Sequence, residues 1–439
     1  MKIAYITAGA AGMYCGTCMH DNTLATALME RGHEVSLIPT YTPMRTDEAS
    51  VADDHIFFGA LRVYLKQKVP FFRYAPDFVD RWLDNRRLLQ WVSKFGSSTE
   101  ASEQGALTLS MLQGEAGHQA KELDELVDFL AEIIQPDIVH ISHTLFAGFV
   151  RRFKQRLGVP VVSSLQGEDL FFDALKEPYR TSILNEVAER SRDIDCFTAP
   201  CEYYADLMAE RYQIPRDRTV ATRLGIQAED YRDSRARQRA ADQPLVLGYL
   251  ARQCPEKGLD GFVDAFLQLA RDLPADRLRA RIAGFQAIKD GDFIAAQQQK
   301  LADAGVTDRV DWLGEVDREG KVAFLESLDV FSVPAPYREP KGLFVPEALA
   351  SGVPVVLPAH GAFPEWIANT GGGVTVEPNS TDALAAGIRS LIDDDDRRTA
   401  LGRAGREAVL RDYNPDVMAE EMLALYDRLL RGKAVRDAA

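Results

Sequence analysis

Glu339-Pro340-Lys341-Gly342-Leu343-Phe344-Val345-Pro346-Glu347 is the stretch whose reading decides the fold of this chain. An apolar run, Val330 to Val333, precedes it, and Ala348-Leu349-Ala350-Ser351-Gly352-Val353-Pro354-Val355-Val356 follows. The pattern predicts a strand, a glycine-containing loop, the start of a helix and a second buried strand. Backbone N–H groups in a loop that leads into a helix favour anions. An ionised acid offers only acceptors, which suits sugar hydroxyls. Glu339 enters the loop and Glu347 falls inside the helix, so the segment predicts a ligand with both phosphates and hydroxyls. Taken alone, it equally describes an ordinary helix start with two solvated acids.

A second segment lies upstream. Leu245-Val246-Leu247-Gly248-Tyr249-Leu250-Ala251-Arg252 ends an apolar run, Gln253-Cys254-Pro255-Glu256-Lys257-Gly258 follows, and Leu259, Phe262, Val263, Phe266, Leu267 and Leu269 recur at helical spacing. Strand, turn and helix put Arg252 and Lys257 at a strand's carboxyl end, where cations are placed to neutralise a diphosphate.

The two segments in this order resemble the signature of the retaining, nucleotide-sugar-dependent glycosyltransferases of family four, which have the GT-B fold. The resemblance implies that Glu339 holds the donor sugar and Glu347 the nucleotide ribose. It implies that Arg252 and Lys257 bind the pyrophosphate and stabilise it as it leaves, with the loop at Gly342, Leu343 and Phe344 closing around it. Gly284 and the run Gly314-Glu315-Val316 match strand ends where the family's backbone meets the base. This chain departs from the family in having Pro340 and Lys341 after the first glutamate, where a small residue and an aromatic are usual.

The amino-terminal half reads as a second doubly wound domain. A strand from Ile3 to Thr7 leads into Ala8-Gly9-Ala10-Ala11-Gly12-Met13-Tyr14-Cys15-Gly16. A helix is expected from about Asn22 to Glu30 and a strand from Glu34 to Pro39. A dinucleotide fold fails on two counts: the glycines do not fit Gly-x-Gly-x-x-Gly, and the second strand ends without an acid for a ribose. Gly12 and Gly16 are the candidates for close approach to the donor, with Tyr14, His20 and Asp21 facing the same side. The strand Pro136 to His143 ends in a histidine at the position where the family's histidine reaches the donor sugar, which implies a catalytic role for His143 and leaves His140 facing the core. The next strand, Val159 to Leu165, ends in Gln166-Gly167-Glu168-Asp169, candidate acceptor contacts.

The stretch from about 51 to 123 is too long for a plain connection. Its run Tyr64-Leu65-Lys66-Gln67-Lys68-Val69-Pro70-Phe71-Phe72-Arg73-Tyr74 faintly resembles the insert of glycogen and starch synthases. Aromatics interleaved with cations suit a packed helical subdomain, stacking on a sugar acceptor, or peripheral contact with a membrane. Thr108 to Ile134 reads as one long amphipathic helix or two.

Composition narrows the classes further. A net charge of −15 argues against general nucleic-acid binding. No apolar run approaches the ~20 residues that span a bilayer. The first strand is too short for a signal peptide, so a cytoplasmic location is expected. Five cysteines, an odd number, do not suit a disulfide framework. Cys15 and Cys18 form a Cys-x-x-Cys pair without a second ligand pair, and read most simply as small residues of the first loop.

The resulting expectation is α/β: GT-B, two doubly wound Rossmann-like domains facing a cleft, with the C-terminal helix crossing back to the first domain. The boundaries are 1–235 for the acceptor-side domain, joined by the helix 415–439, and 244–414 for the nucleotide-sugar domain. The activity implied is transfer of a hexose, with retention, from a nucleotide-diphosphate sugar (a UDP-sugar favoured) to an unknown glycan or small-molecule hydroxyl. The diphosphate sugar is a substrate and no cofactor is expected. No Asp-x-Asp stands at a strand end, and Arg252 with Lys257 can replace a cation, so no metal is expected. The alternatives are a nucleotide-sugar-binding protein without turnover and a nucleotide-sugar epimerase.

Overall fold

The computed structural model describes residues 1–9, 16–53, 104–231 and 243–437. Gly12, Tyr14, Cys15, most of the aromatic insert and the linker 232–242 lie outside the described residues. The chain divides into two compact units, Met1–Arg223 with Asp416–Ala439, and Leu224–Pro415.

The first unit is built on six strands: β1 (Lys2–Thr7), β2 (Glu34–Pro39), β3 (Ile138–Ile141), β4 (Val161–Ser164), β5 (Cys196–Ala199) and β6 (Thr219–Ala221). They form one sheet in the order β2-β1-β3-β4-β5-β6. All neighbours are parallel, with Ile3 opposite Val35 on one side and Ile138 on the other. Parallel strands are covered on both faces, which is why they read as apolar runs rather than alternating ones. The order reverses direction between β1 and β3, a topological switch point.

One local expectation is corrected. The helix after the first loop starts at Gly16, not near Asn22, and runs to Glu30. Its first half turns polar groups inward: Asp21 accepts from Tyr5 and Thr7, and Asn22 bonds the backbone of Ala49 and Val51. Apolar periodicity cannot detect such a face. Of the two readings of Thr108 to Ile134, one helix or two, the second is observed: helices at Gly105–Leu112 and Ala120–Phe129 are separated by a single turn at Gly114–Ala116, and the second ends in a π-helical turn, Leu130–Ile134. Thr219 begins a three-residue strand in register with Phe197.

The C-terminal helix, Pro415–Asp437, belongs to the first unit. Met418, Met422, Leu425 and Tyr426 are buried with Ile3, Tyr5, Leu24, Leu28 and Ile138. Burying one such side chain is worth roughly 1.5–3 kcal/mol, so this contact holds the helix firmly. Arg31 adds ion pairs to Asp416 and Glu420 at the helix start. His140 is buried as expected, its Nδ1 2.5 Å from the Tyr426 hydroxyl and its Nε2 2.8 Å from Ser164 Oγ.

The second unit carries β7 (Leu245–Leu250), β8 (Leu278–Ala283), β9 (Val310–Gly314), β10 (Val330–Phe331), β11 (Val355–Pro358) and β12 (Gly373–Val376). Their order is β12-β11-β10-β7-β8-β9, all parallel. Here the switch point lies between β7 and β10. Among the described residues, no helix is long and apolar enough to cross a membrane.

Candidate active site

The switch point of the second unit gathers the two segments that dominate the sequence. The turn after β7 carries Arg252 and Lys257, and is closed from within by the buried Tyr249, whose hydroxyl donates to the carbonyls of Arg252 at 3.1 Å and Lys257 at 3.4 Å. Gly258 ends this turn with φ +70°, and a Cβ there would stand 2.1 Å from the Pro334 carbonyl oxygen. Only glycine lets the turn lie this close to the chain leaving β10. That chain brings in Tyr337 and Glu339.

Lys257 Nζ lies 2.5 Å from Glu339 Oε2 and 2.6 Å from the Tyr337 hydroxyl. Tyr337 in turn donates to the same carboxylate oxygen. The other oxygen, Oε1, accepts from the backbone N–H of Gly342 at 3.2 Å and of Lys341 at 3.4 Å. The ammonium also sits over the rings of Tyr337 and Phe344, 5.1 and 5.8 Å from their centroids. Glu339 is only 4 % exposed. Burial pushes its carboxyl up, but Lys257, Tyr337 and the Gly342 N–H outweigh that and hold it below the ordinary carboxylate range. Burial first, and then Glu339, raise the Tyr337 hydroxyl well out of the titrating range. A cation and two amides, the donor set for a diphosphate, are thus filled by the protein's own carboxylate.

Glu347 lies inside the helix Phe344–Ala350, and Leu343 is its cap residue. Glu347 Oε1 is 2.6 Å from Lys321 Nζ, a pair in which both side chains are 9 % exposed. Arg252 Nε donates to Cys254 Sγ at 3.1 Å, and its guanidinium faces Glu256 at 3.5 Å. Gly284 follows β8 with φ +136°, where a Cβ would meet the Ala251 carbonyl oxygen at 1.8 Å. Its own carbonyl accepts from Gln253 Nε2, and Trp312 Nε1 donates to Gln253 Oε1 at 2.6 Å, so Gln253 stitches the ends of β7, β8 and β9 together. Glu315 and Val316 follow β9, two strands from β7. A recess of about 250 Å³ adjoins the cluster through Gly258 and Pro336, and is also lined by Asp260, Asn379 and Thr381.

The structure therefore brings Lys257, Glu339, Gly342 and Phe344 together. Sequence reasoning missed Tyr337 and Lys321. A tyrosine two residues before the glutamate was a usable signal; Lys321 lies on the helix Arg318–Glu326, far from its partner in sequence, and offered none.

In the first unit, His143 stands just beyond β3 and is 8 % exposed. Its ring stacks on Phe146, centroids 4.8 Å apart and planes 13° from parallel. Gly16 opens the helix that carries His20 and Asp21. Gln166, Glu168 and Asp169, read from sequence as acceptor contacts, are buried and hydrogen-bonded within the unit. Among the described residues no group of three or more His, Cys, Asp or Glu is arranged to hold a metal, and Cys18 is a buried free thiol.

Two sheets with this strand order, each with a polar cluster at its switch point, define the GT-B class of two-domain proteins. Comparison with known proteins agrees. Residues 21–225 match the model described as "Glycosyl transferase 4-like domain" and residues 230–408 the model "Glycosyl transferases group 1". It is 32% identical over 194 residues to the GDP-mannose-dependent alpha-(1-6)-phosphatidylinositol monomannoside mannosyltransferase of Mycobacterium tuberculosis, covering 43% of this chain. That match spans 48% of the relative, about half its length. Glycogen synthase of the same species is 25% identical over 425 residues, 95% of this chain and 92% of that one. The solved sucrose-phosphate synthase of Thermosynechococcus elongatus superposes with a TM-score of 0.70 over 98% of this chain and 100% of that one, at 18% identity. That likeness is one of fold.

Proposed function

We propose that this chain is a retaining glycosyltransferase that moves a hexose from a nucleoside-diphosphate sugar to an acceptor hydroxyl. The observation that carries the proposal is the cluster of Lys257, Glu339 and Tyr337 with the Gly342 N–H at the switch point of the second unit. Breaking the bond between the anomeric carbon and the diphosphate leaves negative charge on the departing oxygen. Lys257, supported by Arg252, is placed to stabilise that charge as it develops. Donor arrival exchanges the Glu339 carboxylate for a diphosphate at Lys257 and leaves Glu339 to accept hydrogen bonds from sugar hydroxyls. Glu347 holds the ribose, Leu343 and Phe344 flank the phosphates, and the backbone at Gly284, Glu315 and Val316 meets the base. His143 is assigned a catalytic role in the transfer. With Lys257 and Arg252 in the role of a cation, the reaction proceeds without a metal.

Two donor classes come first. The sequence favours a UDP-sugar, and the relative with 32% identity is named for GDP-mannose. The test is a melting-temperature panel of UDP-, ADP- and GDP-sugars against the wild type and Lys257→Ala. A ligand that binds the native state raises its melting temperature by mass action. The expected result is a rise with one nucleotide class that Lys257→Ala abolishes, accompanied by release of the nucleoside diphosphate. A rise without any release would replace transfer by binding without turnover, and no rise with any donor would remove the proposal.

A further inference from the structure

The first unit holds a second polar cluster, and its geometry is organised around the backbone of one residue. The paired part of β3 ends at Ile141, opposite Ser163 of β4. Beyond that point the ladder to β4 stops, while the Ser142 N–H still bonds the Ile6 carbonyl of β1, and side chains of the loop after β4 take over on the open side. Gln166 Nε2 donates to the carbonyl of Ser142 at 3.0 Å. Glu168 Oε1 accepts from the backbone N–H of Thr144 at 3.2 Å and from its hydroxyl at 2.9 Å. Ser142 and Thr144 are the two neighbours of His143. The residue is held from the amino side by an amide and from the carboxyl side by a carboxylate.

The clamp is itself braced. Glu168 Oε2 accepts from the Gln166 backbone N–H at 2.7 Å, tying the two jaws to each other. Gln166 Nε2 also donates to Asp21 Oδ1 at 2.8 Å, and Asp21 takes the hydroxyls of Tyr5 and Thr7. The Gly167 N–H donates to the Tyr204 hydroxyl, which donates to Asp169. Gln166, Glu168 and Asp21 are all buried. Burial pushes the Glu168 carboxyl up, and the hydrogen bonds from Gln166 and Thr144 only partly pull it back. A buried carboxylate of this kind is costly to keep; one oxygen of Glu168 is spent on Thr144, beside His143, and the other on the Gln166 backbone.

We propose that Gln166 and Glu168 are positioning residues for His143: they set the path of its backbone, and Phe146 sets the plane of its ring. The inference rests on the reading that His143 acts in the transfer. Misplacing a reacting group by about 1 Å costs on the order of 100-fold in rate, so small relaxations of the clamp are measurable.

The test is a double-mutant cycle on the rate of donor hydrolysis, in which water takes the hexose and UDP or GDP is released from UDP-glucose or GDP-mannose, using wild type, His143→Ala, Glu168→Gln and the double variant. Glutamine keeps the shape of Glu168 and one acceptor, so it serves Thr144 or Gln166 but not both. The expected result is a kcat lower by roughly tenfold or more in Glu168→Gln, at unchanged donor KM. In the His143→Ala background the same substitution should change kcat by less than about twofold, because groups that act as a unit are not additive. An equal loss of kcat in both backgrounds would show a general structural role and overturn the inference. If Glu168→Gln does not fold, Gln166→Met carries the same comparison: it keeps the length and removes the bond to Ser142. No effect of His143→Ala, or no release from either donor, would instead remove the reading of His143 on which the inference stands.

Discussion

The two switch points solve the same placement problem with different chemistry. In the second unit, long charged side chains meet directly: Lys257 with Glu339, and Lys321 with Glu347. In the first unit, uncharged donors and buried carboxylates bond the backbone, and the one histidine at the strand end contributes a stacked ring. On the function proposed above, the cluster that releases its internal partners to a charged ligand is built from groups that can swap partners, and the cluster that holds one residue still is built from groups that cannot.

The largest break in this comparison is Lys321→Met. It leaves Glu347 as an unpaired acid in a site where both side chains are 9 % exposed. Removing one member of a buried pair typically costs about 3–5 kcal/mol, whereas replacing both by apolar groups is close to neutral. Urea unfolding should therefore show a loss of about 3–5 kcal/mol in Lys321→Met and recovery of most of it in Lys321→Met/Glu347→Leu. Donor binding should not recover in the double variant, because Glu347 is assigned to the ribose. Recovery of both would make the pair purely structural.

That pair also shows what sequence can reveal. Glu339, Glu347, Arg252 and Lys257 were legible because charges beside glycines at strand ends form a recognisable spacing. Lys321 was not, because a lysine on an amphipathic helix looks the same whether it faces solvent or a buried acid 26 residues away. Most strands were legible from their apolar runs. Thr219–Ala221 was not, since three residues carry no periodicity. The helix Gly16–Glu30 was read short because its first turns bury Cys18, His20 and Asp21 rather than a periodic apolar stripe. Gln166 and Glu168 were noticed as polar residues at a strand end, but sequence does not show whether such a side chain points to a ligand or back at its own backbone.

A smaller effect is expected from His140 in the first unit. Burial, and then His20, lower its imidazole from 6.5 to about 3. The folded state therefore keeps His140 neutral at pH values where the unfolded chain binds a proton. Stability contributed by this group is complete above pH 6.5 and is lost as pH falls toward 3. At pH 5 the loss relative to pH 7 is about 2 kcal/mol. His140→Phe removes the titration, so the difference in unfolding free energy between pH 7 and pH 5 should shrink by about that amount. An unchanged pH difference would mean that the imidazole reaches solvent in the native state. The contrast with Glu339 sharpens the comparison: its carboxyl is held below the ordinary range, so its contribution is present at neutral pH and is lost only in more acidic solution.

The smallest predicted effect lies away from both switch points and serves as their reference. Asp393-Asp394-Asp395-Asp396 reads from sequence as a solvated helix end. In the structure Asp393 pairs with Arg389 and Asp395 with Arg398, and Asp394 has a role of its own. Asp394 caps the helix Asp395–Asp412, its side chain accepting from the Arg397 N–H at 2.9 Å. Asp395 and Asp396 fall in the first turn, where negative charge complements the helix dipole. Loss of a capping oxygen typically costs about 1 kcal/mol. Asp394→Ala should lower unfolding free energy by about that much, while Asp394→Asn, which keeps the oxygen, should lose only a few tenths. Neither should alter donor-induced stabilisation. If Asp394→Ala weakened donor binding as much as a change at Lys257, donor binding would report the stability of the second unit as a whole, and loss of the melting shift in Lys257→Ala would no longer locate the donor. A loss confined to stability would leave that shift as a property of the switch point itself.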